Sequence, residues 1–361
     1  MFELDFHRVG DGDNSGDAIS LRYFDGVHWR VIVIDGGYTA DGEALCAHIE
    51  KWYQTRHIDH VISTHPDNDH MSGLRVVMEK MSVGTLWMHC PWSHTAQILP
   101  LFKSRRWLEP NLTAELKRQY PMVQELIELA AKKMTLVYLP FAGAQIGPFT
   151  VLSPSCEMYE GLLPQFRATP SPDQDQLQNL GHWIEGIRPH VSSAETKNVY
   201  ETWDIETLQE GGTTAAENES SLVLFGELRE RSILLTGDAG LIALREAANY
   251  ANSIGKTIVK PGIFQVPHHG SRNNISPAWL DYIVGPPVSP GERAAVTCVV
   301  SAGAEDSTHP RQVIVNAIQR RGAGPWSTKS GGLYFCGTGL PGRGWGESPK
   351  LPFANWVERY S

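Results

Sequence analysis

Thr64-His65-Pro66-Asp67-Asn68-Asp69-His70 concentrates more coordinating chemistry than any other stretch of this chain. Two imidazoles and two carboxylates fall within six residues, between a short apolar strand (61–63) and the helix that follows. Burying them together is costly unless a cation compensates the carboxylates. A tight loop at a strand end can turn alternate side chains into one pocket, the arrangement a dinuclear metal site needs. The competing reading, an acidic loop facing solvent, weakens beside two other segments. Thr236-Gly237-Asp238 follows an apolar strand at 233–235, and Val266-Pro267-His268-His269-Gly270-Ser271 follows one at 264–266. Ligand-type residues at successive strand ends converge on one edge of a sheet, where sites in layered α/β folds form.

The elements that must position these residues are legible in outline. Short apolar stretches at 4–9 and 18–23 flank a Gly/Asp-rich turn. The β-branched run 31–34 ends at Asp35-Gly36-Gly37, which suits a strand buried on both faces, with Asp35 anchoring the neighbouring loops. Leu45, Ile49 and Trp52 recur at helical spacing and predict a helix over 42–54; Leu74, Val77, Met78 and Met81 do the same after the first motif. Further strands are expected at 86–89, 135–139, 149–152, 222–225 and 296–300, with helical character over 94–133, a helix over 240–253 and another after Pro310. Strands alternating with helices in two similar halves predict an αββα sandwich. Periodicity fades over 154–217, which reads as an inserted, mobile segment, and a Gly/Pro/Trp-rich tail occupies 337–361.

The chain has 361 residues, 41% of them hydrophobic and 20% charged, which excludes a disordered or low-complexity protein. No apolar run approaches the ~20 residues of a membrane span, and the opening MFELDFHRVG lacks a signal peptide's basic end. Five scattered cysteines form neither a disulfide framework nor a zinc ribbon, so a cytoplasmic location is expected. A net charge of -9 argues against polyanion binding through a generally basic surface.

His65-x-Asp67-x-Asp69-His70 resembles the HxHxDH signature of the metallo-β-lactamase superfamily, with Asp in place of the second His. Together with Ile34-Asp35-Gly36-Gly37, Thr236-Gly237-Asp238, His268-His269-Gly270-Ser271, Ser301-Ala302-Gly303 and His309-Pro310, the order is similar to the metallo-hydrolase domain of the DNA-uptake protein ComEC. Gly16-Asp17-Ala18, or alternatively Gly12-Asp13, and the segment from Glu217 to Leu224 are similar to further parts of that group. The resemblance implies a metallo-β-lactamase-like domain over 1–336, interrupted by the insertion. It implies two divalent ions, Zn²⁺ or Mn²⁺: His65 and Asp67 on the first, with Asn218 as its further ligand, Asp69, His70 and His268 on the second, and Asp238 bridging. Asp for His hardens the site and shifts preference from zinc toward manganese. Other histidines in the window, His89, His94, His182 and His190, are read as structural or exposed.

The reaction this implies is hydrolysis of a phosphodiester by water activated between the ions, with DNA or RNA as substrate. Asp69 and Asp238 would orient the water, while His269 and His309 would contact a phosphate or protonate the leaving oxygen. The alternatives are a hydrolase of a small metabolite or signalling nucleotide, including a lactone, and a scaffold without chemistry. Arg75, Lys103, Arg105, Arg106 and Arg272 are candidates for a basic strip beside the site, with Trp87, Trp92 and Trp107 for base stacking. The insertion is a candidate lid, opened by a regulatory protein or protease.

Overall fold

The computed structural model of the chain describes residues 1–10, 12–102, 107–172, 198–229 and 231–358. One seven-stranded sheet runs β15 (Leu333–Cys336), β1 (Phe2–Phe6), β2 (Ala18–Phe24), β3 (Trp29–Gly36), β4 (His57–Ile62), β5 (Ser82–Trp87) and β6 (Leu136–Tyr138). The other runs β14 (Trp326–Ser327), β13 (Thr297–Val300), β12 (Ile263–Gln265), β11 (Arg231–Leu235), β10 (Val223–Leu228), β8 (Phe149–Ser153) and β7 (Gln145–Ile146). Strands β3 to β6 are parallel, as are β11 to β14. Their C-terminal ends carry the motifs.

Strand periodicity builds the layers. Ile32 and Ile34 join Leu4, Leu21 and Ile62 and, from the second sheet, Phe149, Leu224, Ile233 and Val299, filling the space between the sheets. Their neighbours Val31 and Val33 point the other way, toward Leu45 of helix α1 (Thr39–His48) and Leu74 and Val77 of helix α2 (Asn68–Lys80). On the second sheet Leu234, Phe264 and Val300 likewise belong with residues of the outer helices, such as Ala243, Leu280 and Ile314. The result is the expected αββα layering. Helix α2 lies so close to β3 that a Cβ on Gly73 would sit 1.9 Å from the Gly36 carbonyl oxygen. No helix among the described residues is long and apolar enough to cross a membrane.

Several local expectations are revised. The first strand covers Phe2–Phe6 rather than 4–9, and the third helix-forming region splits into α3 (Glu109–Gln119) and α4 (Pro121–Lys133). Pro121 causes the split, since it has no N–H to continue a helix but fits a first turn. The described ends of the 154–217 segment are not a loose excursion. Helix α5 (Cys156–Leu162), capped by Ser155, places Met158, Tyr159 and Leu162 in the core with Leu163 and Phe166. Seven residues are too few for periodicity to show. The tail is also anchored, through β16 (Trp356–Glu358) paired with β9 (Asn198–Tyr200). Residues 173–197, with His182 and His190, lie outside the described residues, as do Lys103, Arg105 and Arg106.

This paired corner rests on a buried ion pair. Glu201 is fully buried and accepts from Arg320 Nη1 at 3.1 Å, Thr207 N at 2.7 Å and Asn316 Nδ2 at 2.5 Å. A Glu201→Ala change strands the Arg320 guanidinium without its carboxylate, so urea denaturation is expected to show a loss of about 3–5 kcal/mol.

Candidate metal centre

The motif residues meet where the two sheets' strand ends face each other. Asp35 lies one residue before the end of β3, and His65 lies in the loop after β4. Asp67 precedes the first turn of α2, which carries Asp69 and His70. Asp238 follows β11, and His268 and His269 follow β12. His268 and His269 both adopt left-handed backbone, with φ of 49° and 55°. In an extended strand, adjacent rings would point to opposite sides; here the turned backbone brings both to Asp238. Such conformations cost about 1–3 kcal/mol each and persist where the surroundings enforce them.

The four imidazoles follow one pattern. His70 Nδ1 donates to Asp35 Oδ2 at 2.7 Å, and His65 Nδ1 meets Thr64 Oγ1 at 3.1 Å, a hydroxyl that itself donates to Asp35 at 2.6 Å. His269 Nδ1 donates to the Ser301 carbonyl at 3.0 Å, and His268 Nδ1 to Asn274 Oδ1 at 2.9 Å. Every Nε2 is thereby turned toward Asp238. His65 and His268 face its Oδ2 at 3.8 and 3.5 Å, while His70 and His269 face its Oδ1 at 3.4 and 3.9 Å. Asp67 Oδ2 lies 3.8 Å from His65, and Asp69 Oδ2 lies 3.6 Å from His70 and 3.4 Å from His269. Only the His269–Asp69 contact is a hydrogen bond, and a long one; the others are too long or too poorly aligned. The shortest of them approach the ~3.4 Å between neighbouring ligands of an ion held at ~2.1 Å, and the ligand atoms of Asp69, His70 and His269, like those of His65, His70 and Asp238, all lie within 4.8 Å of one another.

Orphaned atoms make the same point. The Nε2 atoms of His65 and His70 and Oδ1 of Asp238 are buried without a hydrogen-bond partner among the described residues. Buried polar atoms are normally paired, so three at one spot call for a missing partner. Electrostatics adds its sign. Burial alone would raise the Asp238 carboxyl, but His268, His70 and His269 outweigh it and hold it well below the usual range. Burial would depress the His70 imidazole, yet Asp238, Asp69 and Asp35 lift it well above its ordinary value; His269 is likewise lifted, to about 9. The carboxylates thus attract positive charge to these rings, as protons or as metal ions. The residues present fit a pair of cations.

The structure brings together His65, Asp67, Asp69, His70, Asp238, His268 and His269. It divides them differently from the assignment the resemblance implied: His268 lies on the His65 side of Asp238, and His269 on the His70 side. Asn218 stands behind His268, 3.2 Å from its Nδ1, and donates to Thr214 Oγ1 at 2.8 Å. Its amide nitrogen thus contacts the back of the His268 ring rather than Asp238. His309 stacks on His268 with ring centroids 6.0 Å apart, its Nδ1 3.1 Å from Asp306 Oδ2. His89 is buried between Phe141 and Tyr159, and His94 pairs with Glu160. Arg272 is buried, Arg75 is paired with Glu79, Trp87 stacks on Tyr138, and Trp92 and Trp107 pack against the core. Of the expected basic strip only Arg75 and Arg272 are described, Lys103, Arg105 and Arg106 lying outside the described residues.

Gln265 escaped the sequence reading. Its Oε1 accepts from the backbone N–H groups of Thr236 and Gly237 at 3.0 and 3.2 Å, and its Nε2 donates to Asp17 at 2.9 Å. It thereby ties the Asp238 loop to the first sheet. Asp17 is itself held beside the motif, because Gly16 has no Cβ to strike the Asp69 carbonyl oxygen, 2.5 Å from where one would be. Gln265→Ala should cost about 2–4 kcal/mol in denaturant unfolding, since it leaves several buried polar groups unpaired.

No protein-family profile matches the sequence, and no curated protein is detectably similar to it. Solved structures give remote likenesses. A candidate metallo-β-lactamase from Thermotoga maritima matches at 12% identity over 73% of this chain and 94% of that one, with a TM-score of 0.35. The metallo-β-lactamase fold protein YhfI from Bacillus subtilis matches at 10% over 93% and 99%, with a TM-score of 0.42. CmlA, a diiron β-hydroxylase from Streptomyces venezuelae, matches at 11% over 91% of this chain and 44% of that one, with a TM-score of 0.36. Likeness this remote leaves the functional reading to the chain's own side chains.

Proposed function

We propose that this chain is a metal-dependent hydrolase of phosphodiesters that holds two divalent cations, zinc or manganese, on either side of Asp238. One observation carries the reading: four imidazoles, each fixed through Nδ1, turn Nε2 toward the two oxygens of a single carboxylate. His65, Asp67, His268 and Asp238 Oδ2 would hold one ion, and Asp69, His70, His269 and Asp238 Oδ1 the other. Mixed imidazole and carboxylate donors suit either metal. When bound, such a pair lowers the pKa of water and neutralises charge building on a phosphoryl oxygen.

The chain's own groups supply the rest. Asp35, Ser301 and Asn274 fix the ring orientations from behind, and such partners raise ligand basicity. His309 is the proton donor to the leaving oxygen. Asp306 accepts its Nδ1–H, and Ser15 and Thr308 fix that carboxylate at 2.6 and 2.7 Å. Nε2 is then left to take and release a proton.

The motif order supports a nucleic-acid strand as the substrate. A small phosphodiester, such as a signalling nucleotide, is favoured by a hollow of about 600 Å³ beside Asp67 and Asp69 and by the net charge of -9. Assays with Mn²⁺ or Zn²⁺ against single- and double-stranded DNA, RNA and a chromogenic phosphodiester test the reaction. Salt separates the substrates: kcat/KM on a polynucleotide should fall steeply as salt rises, and on a small phosphodiester should stay nearly flat. Failure to cleave any phosphodiester with either metal would overturn the proposal.

A further inference from the structure

Arg167 sits in the segment that looked least structured, at the start of the insertion, yet it reaches the metal centre. Its Nη2 donates to both oxygens of Asp67, at 2.6 and 2.7 Å. Its Nε donates to Glu217 Oε1 at 3.1 Å, an oxygen that also accepts the Arg167 backbone N–H at 2.5 Å. Glu217 is buried, and its other oxygen has no partner among the described residues. The plane of the guanidinium is thus set by two carboxylates on two of its edges. The third group, Nη1, donates to nothing among the described residues, and the side chain is 53% exposed. It lines the 600 Å³ hollow together with Asp67, Asp69, Gln119 and Tyr120. A second hollow of about 450 Å³ continues past Gln119 and Arg167 to Trp107 and Ser171.

We propose that Arg167 is the substrate's anion contact: Asp67 and Glu217 hold its guanidinium so that Nη1 meets a phosphate oxygen lying in the hollow beside the metal centre. The inference rests on the phosphodiesterase reading and adds to it the group that selects an anionic substrate. Its logic is preorganisation. A guanidinium already oriented loses little freedom when an anion arrives, and its planar fork matches phosphate geometry. Asp67 accepts from Arg167 while keeping lone pairs for a cation, since an ionised carboxylate offers about four acceptor sites. Placement on the boundary between two hollows suits a substrate that extends beyond the hydrolysed bond.

The test uses the full-length, cation-loaded protein and an Arg167→Ala variant of unchanged thermal midpoint, with Arg167→Gln as a second variant should alanine disturb folding. Inorganic phosphate is the binding probe, by calorimetry, and bis(4-nitrophenyl) phosphate is the substrate. Loss of a charge-assisted contact should weaken phosphate binding and raise KM by about tenfold or more, with kcat changed less than about threefold and two ions still bound per chain. Unchanged phosphate affinity would overturn the proposal. So would loss of a bound ion in the variant, which would make Arg167 a support for Asp67 alone. If the wild type cleaves no phosphodiester but Arg167→Ala still weakens phosphate binding, the hydrolase reading fails and the anion contact stands.

Discussion

An Asp238→Ala variant should lose about 10³-fold or more in kcat/KM while keeping its fold. Asp238 faces all four imidazoles, with His65 and His268 at one oxygen and His70 and His269 at the other. Under the proposed arrangement its removal would take a ligand from both ions at once. The backbone around it is fixed independently: Ser221 Oγ engages the Asp238 N–H at 3.2 Å, and Asn274 donates to its carbonyl at 2.8 Å. Near-UV circular dichroism should therefore be unchanged while turnover and metal content fall together. A variant that retains turnover within about tenfold would contradict the bridging role.

Stripping the cations should be the next largest effect, and it should depend on pH. A cation that binds only the folded chain stabilises it, so chelation should abolish hydrolysis and lower the thermal midpoint. Restored Zn²⁺ or Mn²⁺ should reverse both. In the ion-free chain the His70 imidazole is held above its ordinary value and His269 is lifted to about 9. Below these values the rings are protonated, and an incoming cation must displace the protons. Metal affinity should then weaken as pH falls from 8 to 6, by about tenfold per unit for each proton displaced. Proton release measured in two buffers of different ionisation enthalpy checks the sign. Affinity that stays constant across this range would show that the imidazoles are not ligands.

The residues that converge around Asp238 were legible because ligand chemistry needs a short list of side chains, and those clustered after apolar strands. Which ring serves which side was not legible. His268 and His269 are adjacent, and only the left-handed backbone at both positions determines where each Nε2 points. The residues behind the rings were harder still. Asn274, Ser301 and Gln265 act through one hydrogen bond or a few, and a lone amide or backbone carbonyl leaves no periodic trace. Asp35 was read as a loop anchor, and it does bind the Thr64 N–H at 2.8 Å, but it also orients His70. The sheets followed from runs such as Val31–Val33, whose alternation divides the two cores. Helix α5 and Arg167 were hidden because a single short helix among polar residues carries almost no periodic signal. Burial of a single basic residue is equally invisible: spacing along the chain does not say that Arg272 is buried.

Diffraction from a crystal grown with Mn²⁺, recorded at an energy where manganese scatters anomalously, addresses the central claim most directly. Two anomalous peaks are expected, one at Oδ2 of Asp238 among His65, Asp67 and His268, the other at Oδ1 among Asp69, His70 and His269. No peak at either oxygen, with the imidazoles hydrogen-bonded to the carboxylates instead, would contradict it.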